Sequence, residues 1–223
     1  VKSTYDGQLR STTVRKASDA KSLGEAAAGQ SFRQLAMLNG HLLHALAEAQ
    51  GEGMLIGVLD SGFERVDELP AFGALRERGG IRHTRDVVHA GGNVYAGHNH
   101  GRMVLSILAG SLPGQLAGSA TRADYVLVRT EDNLSEYLIE EDNWVSGAEY
   151  CDSLGCDVLN PSLGYTDFDD STQNHTYADL DGNTTRISIA AAIAARKGML
   201  PVNSAGNQGD KPWYHIGAPA DAP

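Results

Sequence analysis

The chain is poor in cysteine, poor in aromatic side chains and free of long apolar runs, and each shortage excludes something. Only Cys151 and Cys156 occur in 223 residues. Two cysteines make no disulfide framework, and no nearby histidine pair completes a zinc site around them. Their spacing allows a local disulfide in an oxidising compartment or two buried free thiols. No stretch of about 18 apolar residues occurs, so no membrane-spanning helix is expected. Basic residues are outnumbered: 18 Lys and Arg against 28 Asp and Glu leave a formal net charge of −10. That balance argues against nucleic acid and against an anionic membrane surface as main partners. Val1 opens a polar stretch without the charged-then-apolar pattern of a secretory signal, which a mature secreted chain also lacks.

Hydrophobic residues make up 41% and charged residues 21%, the composition of an ordinary globular protein. The length suits one sizeable α/β domain. Residues 1–30 are polar and rich in Ser, Thr, Lys and Ala. They read as a weakly ordered leader or the tail of a removed pro-segment. From Phe32, "FRQLAMLNGHLLHALAEAQGEG" carries apolar residues at helical spacing and ends on glycines. "MLIGVLDSGF" is a buried-strand run that closes on a turn at Asp60-Ser61-Gly62. "GRMVLSILAG" is predicted helical, "ADYVLVRT" a second strand, "EYLIEEDNWVSGAEYCDSLG" a helix and "CDVLNPSLG" a third strand. After a long polar loop come the helix "RISIAAAIAARKG" and a fourth strand, "MLPVNSAGNQG". This alternation predicts an α/β fold, a three-layer sandwich with a mostly parallel sheet.

Ligand sites in such folds lie at the carboxyl ends of the strands. Three predicted strand ends carry unusual polar residues: "LDSG" at 59–62, "PSLG" at 161–164 and "NSAGNQG" at 203–209. Asp60 follows four apolar residues, where a carboxylate is costly unless paired or hydrogen-bonded. In "VYAGHNHGRMVLSILAG", His98 and His100 stand two apart before a predicted helix. The pair invites a metal reading, but no third ligand has suitable spacing.

Taken in order, these pieces resemble the subtilisin-like serine proteases. "IGVLDSGF" is similar to the family's segment around its catalytic Asp, and "GHNHGRMVLSILAG" to the segment around its catalytic His. "VLNPSLG" is similar to the strand that lines the substrate cleft, and "VNSAGNQG" to the segment with the oxyanion Asn. The resemblance implies a peptide-bond hydrolase working through an acyl-enzyme, with Asp60 as the buried carboxylate, His100 as the base and Asn207 as the oxyanion donor. It implies that Ser162, Leu163 and Gly164 line one wall of a peptide cleft. Ser204, Ala205 and Gly206 lie at the specificity pocket, and His98 lies on the rim. It implies no cofactor, a protein or peptide substrate, and a secreted or cell-surface location.

The chain departs from the family pattern in three places. No "GTSMA"-like segment for the nucleophile occurs within the 223 residues. The resemblance therefore implies a serine on a missing or separate C-terminal segment, a second polypeptide as partner, and a catalytic domain spanning 31–223 that is incomplete and inactive alone. The alternative is a non-catalytic domain of the same family that binds peptides or acts as a scaffold. Arg102 stands where the family has Thr; there it either lowers the basicity of His100 or points to solvent. The stretch "GSLPGQLAGSATRADY" lacks the Asn ligands of the family's calcium loop, and "DLDGN" at 179–183 lacks a full ligand set, so no metal is expected. The acidic stretches "TEDNLSEYLIEED" and "YTDFDDSTQ" read as a solvated acidic surface, or as a preference for basic substrate residues if they flank the cleft.

Overall fold

A computed structural model describes residues 25, 26, 28–45 and 50–223. Most of the predicted leader at 1–30 lies outside the described residues. Its end does not: Ala28 is buried, and Gly29 bridges to Leu116.

The predicted helix after Phe32 is two short ones, α1 (Phe32–Met37) and α2 (Gly40–Ala45). Between them Asn39 takes a positive φ of 58°, a conformation that interrupts any right-handed helix. The part of the prediction at 46–49 lies outside the described residues. The chain then alternates, the predicted elements being joined by the unpredicted α3, β2 and β3–β4: β1 (Leu55–Asp60), α3 (Gly73–Glu77), β2 (Ile81–Asp86), α4 (His100–Ala109), the hairpin β3 (Ser111–Leu112) and β4 (Leu116–Ala117), β5 (Asp124–Arg129), α5 (Ile139–Leu154), β6 (Val158–Pro161), α6 (Arg186–Lys197) and β7 (Leu200–Pro201).

Five strands form one sheet in the order β2-β5-β1-β6-β7, and every pairing in it is parallel. β1 sits at the centre. Its run of apolar side chains splits alternately between the two faces, as a strand's period of two requires. Val58, with Tyr125 and Leu127 of β5, packs under Leu105 and Ala109 of α4. Leu59, with Val126 and Val128, packs under Trp144, Ala148 and Cys151 of α5 and Ile187 and Ala191 of α6. Two cores on opposite faces of a parallel sheet make the three-layer sandwich that the sequence predicts.

The sequence reading has no counterpart for β2. Its side chains from Arg82 to Arg85 are exposed because it is an edge strand, so it shows no apolar run. Ion pairs fasten it instead: Arg82 Nη2 lies 2.7 Å from Asp124 Oδ2, and Arg129 Nη1 3.3 Å from Asp86 Oδ2. Cys151 and Cys156 are both free and buried, which is the thiol alternative of the sequence reading. No helix among the described residues is long and apolar enough to cross a membrane.

Candidate active site

The predicted turn at the end of β1 carries the central carboxylate. Asp60 is the last residue of the central strand and is fully buried, with 0% exposure. A buried carboxylate needs donors, and the fold supplies them. Oδ1 accepts from the Ser61 amide at 2.8 Å and from the Ser61 hydroxyl at 3.2 Å. The His100 ring lies alongside, with Nδ1 2.8 Å from Oδ1 and 3.0 Å from Oδ2. Burial pushes the Asp60 carboxyl above its ordinary range, and the His100 and Ser61 hydrogen bonds oppose that rise. A carboxylate only accepts, so Nδ1 of His100 carries the proton and Nε2 keeps its lone pair. The His100 side chain is 41% exposed, so this nitrogen belongs to a ring that substrate can reach.

His100 is the first residue of α4, and the residues around it permit close approach. Gly62, next to the Asp60 turn, has φ +144°, and a Cβ there would lie 2.4 Å from the His98 amide nitrogen. At Gly101 a Cβ would lie 2.5 Å from the Gly62 carbonyl oxygen and 2.8 Å from Asp60 Cβ. The first of these is backbone and cannot swing away. Gly101→Ala is therefore expected to lift the start of α4 off β1 and destabilise the fold by about 2 kcal/mol, the cost typical of overpacking. Urea denaturation measures it, and stability within about 0.5 kcal/mol of wild type would contradict this packing.

Arg102 turns to Glu64 rather than to open solvent. Its Nη1 lies 2.7 Å from Glu64 Oε2 and 3.2 Å from the Glu64 carbonyl oxygen. This pair ties the first turn of α4 to the loop after β1. The partner stands 38 residues away, so the sequence carries no local sign of it.

The other predicted site residues sit where the neighbouring strands end. Ser162, Leu163 and Gly164 follow β6, and Ser204–Asn207 follow β7. The Ser204 amide donates to the Pro161 carbonyl at 3.3 Å, which joins the two segments. Asn160 Nδ2 donates to Ser162 Oγ at 3.5 Å, and the Gly206 amide to Ser204 Oγ at 3.1 Å. Gly217 donates to the Ala205 carbonyl at 3.3 Å. Asn207 is exposed and, among the described residues, makes no hydrogen bond to Asp60 or His100. The structure thus joins Asp60 to His100 directly, and gathers the other segments at the same edge of the sheet. His98, the predicted rim residue, is exposed, and its Nδ1 is 3.2 Å from Ser61 Oγ. Among the described residues no group of three or more His, Cys, Asp or Glu side chains is arranged to hold a metal ion.

Part of the predicted solvated acidic surface is buried. Glu131, Glu140 and Glu141 are 6%, 2% and 0% exposed. Glu131 follows β5 closely, and the preceding residue is anchored to the site, since the Thr130 amide donates to the Asp60 carbonyl at 3.0 Å. Thr130 Oγ1 donates to Glu131 Oε1 at 2.7 Å, and the Asp132 amide to Glu140 Oε1 at 3.1 Å. Glu141 accepts from His175, which that bond pushes above its usual range. Burial pushes Glu131 up to about 7. Burial and the neighbouring Glu131 push Glu140 up to about 8, and burial with Glu140 and Asp169 pushes Glu136 up to about 7. A charge-rich run gives no sign of this, because the loop after β6 meets the start of α5: the Glu136 amide donates to Asp169, the Leu138 amide to Gln173, and His175 bonds to Glu141.

The sign of the consequence is fixed. The unfolded carboxyls lose their protons near pH 4.5, while the folded ones keep theirs to about 7 or 8. Between those limits the folded state holds more protons, so stability falls as pH rises. The raised His175 acts the same way: its contribution is complete below its unfolded titration and is lost as pH rises through the folded one. Glu140→Gln keeps an acceptor for the Asp132 amide and removes one charge. It is expected to raise Tm at pH 8 by about 3 °C and to leave Tm at pH 5 nearly unchanged. Thermal melts at the two pH values check this, and a lower Tm at pH 8 would contradict it.

A parallel sheet between two helical layers, with a buried carboxylate holding an imidazole at the end of its central strand, defines an α/β protein with an acid–base pair at its strand ends. The family comparison is more specific. The model of the subtilase family, peptidase S8, matches residues 51–223, and the chain belongs to that family of subtilisin-like serine proteases. Solved structures agree on the fold. MycP1 from the ESX-1 type VII secretion system is 18% identical with a TM-score of 0.57, over 84% of this chain and 54% of that one. The self-cleaved protease domain of PatA is 21% identical with a TM-score of 0.53, over 77% of this chain and 55% of that one. The prenylagaramide maturation protease PagA is 18% identical with a TM-score of 0.52, over 81% and 54%. The chain spans about half the length of these solved proteins. No curated protein matches it.

Proposed function

We propose that this chain is the acid–base part of a serine endopeptidase, with the nucleophilic serine on a segment outside these 223 residues. The observation that carries the reading is the hydrogen bond from His100 to the fully buried Asp60 at 2.8 Å. A serine hydroxyl is a weak nucleophile and needs a base near neutral pH. His100 Nε2 takes the hydroxyl proton as oxygen attacks the peptide carbonyl, and Asp60 stabilises the imidazolium that forms. Nε2 then passes the proton to the leaving amine, and water hydrolyses the acyl-enzyme by the reverse sequence.

In this reading Asn207 donates its amide to the developing oxyanion, an interaction worth roughly 3–4 kcal/mol in subtilisin. Ser162, Leu163 and Gly164 form one wall of the peptide cleft; Ser204, Ala205 and Gly206 line the specificity pocket, with His98 at the rim. The partners are a peptide or protein substrate and the polypeptide that bears the serine. The secretion-system membership of MycP1 supports a location at the cell envelope or outside it. The experiment is a pre-steady-state burst on an activated ester, using the protein together with its serine segment. A burst of one equivalent supports the acyl-enzyme; slow, burst-free turnover that a chelator abolishes would oppose it.

A further inference from the structure

Ser61 holds one hydroxyl hydrogen between two acceptors at equal range. Its Oγ lies 3.2 Å from Asp60 Oδ1 and 3.2 Å from His98 Nδ1. Ser61 is 7% exposed, so among its described partners the hydroxyl has these two to choose between. His98 Nδ1 also lies 3.4 Å from the backbone nitrogen of His100, an amide at the first position of α4 that has no partner within the helix. Asn99, at the helix cap, makes no side-chain bond to serve the first turn. His98 Nδ1 therefore faces two donors, the Ser61 hydroxyl and the His100 amide, when it carries a lone pair. It can face neither of them as an acceptor when it carries a proton.

We propose that His98 is a positioning residue whose protonation turns the Ser61 hydroxyl away from itself and onto Asp60, so that a second histidine sets how firmly the carboxylate holds His100. With His98 neutral, Ser61 donates to His98 Nδ1, and Asp60 Oδ1 accepts from the Ser61 amide and His100. With Nδ1 protonated, that N–H donates to the Ser61 oxygen, and the hydroxyl hydrogen rotates to Asp60 Oδ1. One proton leaves a solvent hydronium and bonds to His98 Nδ1, and one hydroxyl rotates; no other covalent bond forms or breaks. The carboxylate then serves an additional donor and accepts less strongly from His100.

Charged and titratable groups on every neighbouring element bear on this switch. On β1 there is Asp60. On α4 there are His100 and Arg102, and in the loop after β1 there is Glu64, whose backbone amide donates to the His98 carbonyl at 3.3 Å. Arg102 and Glu64 neutralise one another as an ion pair, so Asp60 and His100 dominate.

This inference rests on the reading of His100 as a base, but its test does not need turnover. Proton NMR follows the low-field Nδ1–H of His100, with the titration of His98 followed on its own ring carbon protons. The low-field proton is expected to shift upfield in step with His98, and the step is expected to vanish in both His98→Gln and Ser61→Ala. Ser61→Ala is the informative variant, since His98 still titrates there and only the relay is cut. A low-field proton indifferent to His98 in the wild type overturns the proposal. A step that survives Ser61→Ala also overturns it, because plain charge repulsion through space then accounts for the effect. If no variant hydrolyses a peptide and the step is nevertheless present and lost on Ser61→Ala, the protease reading fails and the relay stands.

Discussion

Replacing His100 with alanine, in the protein complete with its serine, is expected to lower kcat about a million-fold and to leave KM within a few-fold of wild type. The size is that of subtilisin itself, where loss of the histidine costs nearly as much as loss of the whole triad. The reason for expecting it here is local. Asp60 has no exposure and is held by Ser61 and His100 alone among the side chains described around it. Without the imidazole no other base stands at that carboxylate, because His98 reaches it only through the Ser61 hydroxyl. Steady-state kinetics on a chromogenic peptide check the result. A loss below about a hundred-fold would mean that the proton goes elsewhere, since positioned acid–base groups contribute at least that much.

Asp60→Asn should lower kcat by about ten-thousand-fold, as the equivalent change does in serine proteases with this triad. The physical cause is tautomeric. An amide placed where the carboxylate sits can turn its NH2 toward His100, which then accepts at Nδ1 and carries its proton on Nε2. That nitrogen can no longer accept from a serine hydroxyl. Part of the loss is expected to return at alkaline pH, where hydroxide can replace the missing base. Removing the buried charge also removes a desolvation cost, the same burial that pushes Asp60 above its ordinary range. The variant is therefore expected to melt no more than a few degrees from wild type, which separates lost chemistry from lost fold. A variant that keeps a tenth of the activity would contradict the tautomer argument.

Much of the fold was legible because its central strands are buried on both faces. "LIGVLD" and "DYVLVR" are near-continuous apolar runs for that reason, and each is a strand of six residues. β2 was not legible: an edge strand needs no apolar face, and "IRHTRD" is held by pairings to Asp124 and Arg129 that only the fold brings near. The helix after Phe32 was read as one because its apolar spacing is continuous, and the break at Asn39 is a backbone event without a periodic signal. In the site, Asp60 and His100 stand out in the sequence by motif and context, and the structure sets the His100 ring nitrogen 2.8 Å from the Asp60 carboxylate. Glu131, Glu140 and Glu141 are buried where the sequence predicts a solvated surface, because charge density says nothing about which side chains a distant loop will cover. Arg102 shows the same limit, since what decides its orientation is Glu64, a residue on another element.

On the proposed reading, the base and its carboxylate lie in this chain and the nucleophile outside it. Labelling with a fluorophosphonate, read by intact mass and then by peptide mapping of the protein together with what its gene encodes past residue 223, tests that division most directly. The account predicts a single adduct on a serine outside residues 1–223, formed rapidly in the wild type and lost in His100→Ala. A folded protein that takes no adduct, or one labelled equally well with and without His100, would contradict it.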